Sequence, residues 1–204
     1  MSQANFWDQR YREKVYAYGT APNAFLAASI QHLPRHGKVL CLGDGEGRNG
    51  VYLAKQGLEV TSVDLSAAGK RKAEKLAQDE GVWLHYIVAD LESYDVGEAV
   101  WDGIVSIFCH LPSALRKRVH AACVRGLKPG GVFLLESYAP EQLRFGTGGP
   151  KDPDMLLDIS TVKAELAGLE FILCRSEERT VVEGEFHSGQ AAVTQVIATK
   201  RADR

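Results

Sequence analysis

The sequence of 204 residues has no excess of charge of either sign: 24 Lys and Arg stand against 26 Asp and Glu, a formal net charge of -2. Without a global basic field there is little to gather phosphates, so nucleic acid is not the expected partner. One local basic cluster, Lys70, Arg71, Lys72 and Lys75, has Glu74, Asp79 and Glu80 close by and reads as a solvated helix face. No apolar stretch is long enough to span a bilayer. Met1 to Asp8 is polar and carries no apolar signal core, so no membrane partner is expected and the expected location is the cytoplasm. The cysteines, Cys41, Cys109, Cys123 and Cys174, include no C-x-x-C pair, and three fall in apolar runs, which favours buried free thiols over disulfides or a metal knuckle. His32, His36, His85, His120 and His187 show no metal-ligand spacing with Cys or acids, so no metal is expected and surface or packing roles are assigned to these five.

There is also no internal repeat and no low-complexity linker. At about 100–200 residues per domain, one domain over 1–204 is the expectation. A 45% hydrophobic, 25% charged composition is ordinary for a globular chain able to bury a core. A monomer or weak homodimer is expected.

What is present is an alternation. Phe6, Trp7, Tyr11 and Val15 recur at helical spacing within 2–19. Pro22-Asn23 opens a second helix, with Asn23 as cap, that Pro34 stops. Together these give an N-terminal helical segment over 1–36. Strands are predicted at Val39–Leu42, Glu59–Val63, Trp83–Ala89, Gly103–Phe108 and Val132–Glu136. Helices are predicted at Asn49–Lys55, Ala67–Glu80 and from Pro112-Ser113 to near Gly126, and Pro129-Gly130-Gly131 reads as a turn. After a long loop over 138–158 come a short helix, Ser160–Leu166, and two strand-like runs, Leu169–Cys174 and Ala191–Thr199, with no helix between them. The predicted fold is α/β: a Rossmann-like, doubly wound, mostly parallel sheet with an antiparallel C-terminal strand pair and helices on both faces.

The chemistry centres on Gly43-Asp44-Gly45-Glu46-Gly47-Arg48-Asn49-Gly50, which joins a strand to a helix. Glycines there permit a tight turn and close ligand approach. Asp64 ends the next strand, 21 residues after Gly43, where an acid accepts hydrogen bonds from ribose hydroxyls. Gly45-x-Gly47-x-x-Gly50 fits a dinucleotide frame, and Gly43-x-Gly45-x-Gly47 fits S-adenosylmethionine. A pyrophosphate against this loop would meet Asp44 and Glu46, whereas a sulfonium and an amino group tolerate them; S-adenosylmethionine is therefore preferred. Asp90, ending the third strand, is placed to accept from the adenine amine, or it simply caps a turn.

These residues resemble a known group. Val39 to Asn49 is similar to the first motif of class I S-adenosylmethionine-dependent methyltransferases, in the version of the tellurite-resistance-type enzymes, relatives of thiopurine methyltransferase. Val60 to Asp64 resembles the second motif, Trp101 to Ser106 the fourth, Leu127 to Gly131 the following turn, and Tyr18 to Asn23 the entry segment. The resemblance covers most of the chain and implies roles: Gly43 and Gly45 hold the methionine moiety, Asp64 binds the ribose hydroxyls, Leu65 is a further cofactor-binding residue, Asp90 and Leu91 frame the adenine, Ser106 to Phe108 line the methionine side, and Tyr18 closes over the cofactor or packs. Many members carry an acid where this sequence has Cys41; Asp44 and Glu46 stand near enough to compensate.

On the acceptor side, His110 is the candidate acid/base or else a packed helix-start histidine, and Cys109 is more simply a small buried thiol. Tyr138 and Arg144 are the candidate substrate contacts, and the 138–158 loop, with Lys151, is either a substrate lid or an ordinary connection. The expected function is methyl transfer to a small-molecule acceptor, a thiol or a selenium or tellurium species. The alternatives are a nicotinamide-dependent oxidoreductase and a non-catalytic S-adenosylmethionine-binding module.

Overall fold

The computed structural model describes residues 3–184 and 186–202. Met1, Ser2, Glu185, Asp203 and Arg204, all within the expected 1–204 domain, lie outside the described residues. The strands are β1 (Lys38–Leu42), β2 (Glu59–Asp64), β3 (His85–Val88), β4 (Trp101–Ile107), β5 (Leu127–Tyr138), β6 (Leu169–Val182) and β7 (Ser188–Lys200). The helices are α1 (Gln3–Tyr11), α2 (Ala24–Ala28), α3 (Arg48–Lys55), α4 (Ala67–Asp79), α5 (Ser113–Gly126) and α6 (Ile159–Glu165).

The strands form one sheet in the order β3-β2-β1-β4-β5-β7-β6. β1 to β5 pair in parallel; β7 runs antiparallel to both β5 and β6. This is the doubly wound, mostly parallel sheet with an antiparallel C-terminal pair. Apolar side chains leave it on both sides. Val39, Cys41, Val60, Val105 and Leu134 pack with Leu26, Leu53 and Leu76 of α2, α3 and α4. Leu40, Leu42, Ile104, Phe133 and Leu135 pack with Val119, Cys123 and Val162 of α5 and α6. A fully buried Leu or Val contributes about 1.5–3 kcal/mol, so the two layers hold the sheet between them. No helix among the described residues is long and apolar enough to cross a membrane.

The sheet order reverses between β1 and β4, and open α/β sheets bind ligands beyond the carboxyl ends of strands at such a switch point. Leu42, Asp64, Val88 and Ile107 all end there.

Several boundaries differ from the sequence pattern. Pro129-Gly130-Gly131 lies inside β5 rather than before it: the ladder steps from Trp101↔Leu127 to Gly103↔Val132, a bulge that absorbs the turn residues. β6 and β7 run on to Val182 and back from Ser188, far past Cys174 and Ala191. The charges of Arg175 to Arg179 disguise β6 as a loop, but it is an edge strand, and edges carry charge. At the N-terminus α1 ends at Tyr11, so Val15 is 71% exposed and is not part of an apolar helix face. The second helix is also short, Ala24–Ala28 followed by a 3-10 turn over Ile30–His32, although Asn23 does cap it by accepting from Leu26 N at 2.9 Å.

Candidate active site

The loop between β1 and α3 is braced from below. Asp44 turns inward and accepts from Ser62 Oγ at 2.6 Å and from Gly50 N at 3.2 Å. Burial raises its carboxyl to about 7, against the pull of those two hydrogen bonds. Asp64 accepts from Gly45 N at 3.0 Å and from Ser66 N at 2.9 Å. Burial again dominates and lifts it to about 6. Cys41, where relatives of the resemblance carry an acid, faces the apolar core at 2% exposure, and the bracing comes from Asp44 instead. Glu46 pairs with Lys72 and accepts from Tyr18 N at 3.4 Å, fastening the entry segment to the loop.

Gly43 has φ +59°, and a Cβ there would stand 2.8 Å from Cys109 Sγ; one at Gly45 would stand 2.7 Å from Tyr11 Oη. The loop therefore leaves backbone, not side chains, facing the space above it. Phe108, a non-glycine residue at φ +50°, turns the chain sharply off β4, its N–H held by Glu136 O at 2.8 Å. Such strain persists where the surroundings over-determine it; here it aims an aromatic ring into the site.

A cavity of about 700 Å³ occupies this switch point. Tyr18, Gly43, Gly45, Asp64, Leu65, Asp90, Leu91, Phe108 and His110 all line it. Asp90 is exposed, and its Oδ1 also accepts from Glu92 N at 2.8 Å, so the turn-capping role and a place at the cavity edge coexist. Tyr138 is buried behind the wall, its ring stacked on His110 at 5.4 Å and packed on Phe108 at 4.7 Å. Arg144 is not brought to the cavity: it sits on an exposed 3-10 turn and pairs with Glu178 at 3.2 Å. From the 138–158 loop, Gly148, Gly149, Pro150 and Met155 reach the lining and Lys151 does not. Cys109 is a half-buried thiol at the cavity wall, pushed up to about 12 by desolvation, no nucleophile near neutral pH.

Two parts of the wall lack a local sequence signal. The first is α1, pinned to the start of α4 because Asp8 Oδ1 accepts from Ser66 Oγ at 2.6 Å and Ala68 N at 3.0 Å. It presents Phe6, Trp7, Arg10 and Tyr11 to the cavity. The second is the turn from β6 to β7, which brings Phe186 and His187 back over the site. His187 packs on Tyr18 at 4.5 Å and on Phe108 at 4.7 Å. It is packed, one of the two expected roles, and it also lines the cavity, a place that the unexpected length of β6 and β7 gives it. Arg10 lies 4.0 Å over the Phe186 ring, joining the two parts.

The β6–β7 turn is anchored by a buried polar cluster. Arg48 Nη2 donates to Glu183 Oε2 at 2.6 Å, and Asn23 Nδ2 donates to Glu183 Oε1 at 2.9 Å and to Glu136 Oε1 at 3.0 Å. Arg179 reaches both acids, and Gln195 Nε2 donates to Glu136 Oε2 at 2.6 Å. Two guanidiniums oppose two carboxylates, so the charges balance; Glu183 stays below the usual carboxylate range despite burial, chiefly because Arg48 is beside it. Among the described residues no group of His, Cys, Asp and Glu is arranged to hold a metal ion.

Against known proteins, residues 39–131 match the methyltransferase domain family. The malonyl–acyl-carrier-protein O-methyltransferase of Enterobacter lignolyticus is 31% identical over 122 residues, 57% of this chain and 45% of that protein. The chain thus spans less than half the length of that relative. Among solved structures, the protein studied for conversion of a disulfide bond into a thioacetal group during echinomycin biosynthesis superposes with TM-score 0.80 at 17% identity, covering 100% of this chain and 93% of that one. TehB from Haemophilus influenzae gives 0.72 at 17% identity, covering 97% and 67%. At such identities the structures share a fold with this chain.

Proposed function

We propose that this chain is an S-adenosylmethionine-dependent methyltransferase, as the match of residues 39–131 to the methyltransferase domain family supports, and that it moves the methyl group to a small-molecule acceptor whose nucleophile is soft: a thiol, or a selenium or tellurium atom. The observation that carries this reading is the cavity itself. One wall is a glycine loop with Asp64 beneath it; the opposite wall is aromatic and imidazole.

The residues suit the cofactor. Side chains at Gly43 or Gly45 would collide with Cys109 and Tyr11, so both positions stay bare backbone, and both line the cavity where a ligand can approach closely. Asp64 uses lone pairs on Gly45 and Ser66 and keeps others for ribose hydroxyls. Arg48, the cation nearest the helix start, is committed to Glu183, and the loop offers nothing to balance a pyrophosphate. This also weighs against a nicotinamide cofactor. S-adenosylmethionine supplies an activated methyl on a sulfonium.

Gly43 and Gly45 would hold the methionine end, Asp64 and Leu65 the ribose, and Asp90 and Leu91 the adenine. Phe108 and Tyr18 would close off water. Alignment and dehydration of the two reactants supply much of the acceleration in such a displacement. A soft nucleophile needs little beyond them, so the lack of a strong base near the loop fits this acceptor class.

Calorimetric titration of the purified chain with S-adenosylmethionine is the direct test. Saturable one-site binding is expected. A folded sample that does not bind sinks the reading.

A further inference from the structure

We infer that Arg10 selects the acceptor: the cavity takes a thiol on an apolar or aromatic body that also carries a carboxylate, and the Arg10 guanidinium binds that carboxylate. This rests on the methyltransferase reading above and adds the anionic group to it.

The Asp, Glu, Lys and Arg residues that line the cavity are Arg10, Asp44, Glu46, Arg48, Asp64 and Asp90. Arg48 pairs with Glu183, and Glu46 with Lys72. Asp44 and Asp64 brace the glycine loop. Arg10 pairs with no acid among the described residues. It is half-buried, and its guanidinium lies 4.0 Å over the Phe186 ring and 5.3 Å over the Phe6 ring, beside the Tyr18 phenol. A ring attracts a cation without neutralising it. The charge and the planar fork of N–H donors are left for a carboxylate, which such a fork holds through two parallel hydrogen bonds. Partial burial strengthens that attraction, because less water and salt screen it.

The faces of α1 separate this cation from the glycine loop. Residues four apart share a helix face. Trp7 and Tyr11 stack at 5.6 Å on one face, and Tyr11 Oη stands 2.7 Å from where a Cβ at Gly45 would be. Phe6 and Arg10 make the neighbouring face, and Arg10 meets Phe186 of the β6–β7 turn. Arg10 therefore belongs to the wall opposite the loop. That wall is otherwise largely apolar, with Leu111, Leu115 and Met155. One cation on an apolar wall matches a ligand with an apolar body and one anionic end. Arg144 and Lys151, the cations that the sequence offered for the acceptor side, stay out of the lining, which leaves this task to Arg10.

In the transfer, a lone pair of the thiol sulfur forms the new S–CH3 bond as the bond between the methyl and the sulfonium opens. The electrons of the broken bond stay on the cofactor's sulfur, and the thiol proton passes to water. The carboxylate is unchanged. It fixes where the thiol stands, so Arg10 acts in specificity and takes no proton.

The test uses the full chain saturated with S-adenosylhomocysteine. Two thiols of the same shape, 4-(mercaptomethyl)benzoate and its neutral amide, 4-(mercaptomethyl)benzamide, are titrated into it by calorimetry at neutral pH. The benzoate is expected to bind at least tenfold more tightly. Arg10→Met should abolish that preference and leave affinity for S-adenosylhomocysteine within about twofold. Arg10→Lys, which keeps the charge but not the fork, should recover part of the preference. An unmodified chain that binds the benzoate no better than the amide, or binds neither, would overturn the inference and leave the methyltransferase reading intact. A preference that survives Arg10→Met would overturn it too. So would a loss of S-adenosylhomocysteine affinity in Arg10→Met, which would give Arg10 to the cofactor instead. Failure of the unmodified chain to bind S-adenosylhomocysteine would remove the methyltransferase reading, and the inference with it.

Discussion

The two walls of the cavity are built in different ways. The glycine-loop wall, proposed to hold the cofactor, is local: within 43–66, backbone amides of Gly45, Gly50 and Ser66 and the hydroxyl of Ser62 are held by two carboxylates, Asp44 and Asp64. The opposite wall is gathered from α1, the end of β4, the 148–155 segment and the β6–β7 turn, and it is held by ring packing and a buried ion cluster. A wall made of short-range backbone hydrogen bonds keeps its shape from its own sequence. A wall made of distant pieces depends on the interior that anchors them, so each should fail to different mutations.

The largest expected effect is on the second wall. Glu183→Ala strands the Arg48 guanidinium, 8% exposed at its side chain, and releases the turn carrying His187. Breaking a buried pair from one side costs about 3–5 kcal/mol. Urea denaturation should show that loss, and any folded fraction should keep S-adenosylhomocysteine affinity better than acceptor affinity. Equal loss of both would mean that the walls are not independent. On the first wall, Asp64→Ala removes charge-assisted hydrogen bonds worth about 1.5–3 kcal/mol. Affinity for S-adenosylmethionine by calorimetry should fall roughly ten- to a hundredfold, and an unchanged affinity would take Asp64 out of the cofactor site.

The pH response separates the walls in sign. His110 is depressed from 6.5 to about 4, so between those values the unfolded chain binds the proton that the folded chain refuses. Stability from this group is complete above pH 6.5 and is lost on acidification toward 4. Asp44 is raised to about 7 and Asp64 to about 6, so the folded chain holds protons that the unfolded chain releases. Their contribution is complete below the unfolded value near 4 and is lost as pH rises through 6 to 7. Relative to the unmodified protein, His110→Phe should therefore gain stability between pH 7 and pH 5, on the order of 1 kcal/mol, as read from denaturation midpoints. A constant difference at both pH values would show that His110 is not held neutral. The smallest effect is outside both walls: Arg144→Ala breaks an exposed pair with Glu178, worth about 0–1 kcal/mol. Acceptor turnover should be unchanged; a raised KM would bring Arg144 back to the site.

The same contrast explains what could be read in advance. β1 to β4 and the glycine loop were legible because apolar runs, glycines and strand-end acids follow each other between Lys38 and Ile107 and each signal is local. β6 was cut short because Arg175 to Arg179 look like a loop until the strand is seen at the sheet edge. His187 carries no motif; its role depends on where a 14-residue strand turns back. The Asn23–Glu136–Glu183–Arg48 cluster joins residues up to 160 positions apart, a separation no periodicity reports.

The sequence alone determined the doubly wound order of strands and helices, the strand-end position of the glycine loop and Asp64, and S-adenosylmethionine as the cofactor, because each follows from short-range pattern and backbone geometry. The tertiary structure decided which side chains line the rest of the cavity. It brought in His187 and the aromatic residues of α1, set Tyr138 behind the wall and left Arg144 outside. Those choices are made by strand length, edge position and buried charge pairing, which act between segments that the chain order keeps apart.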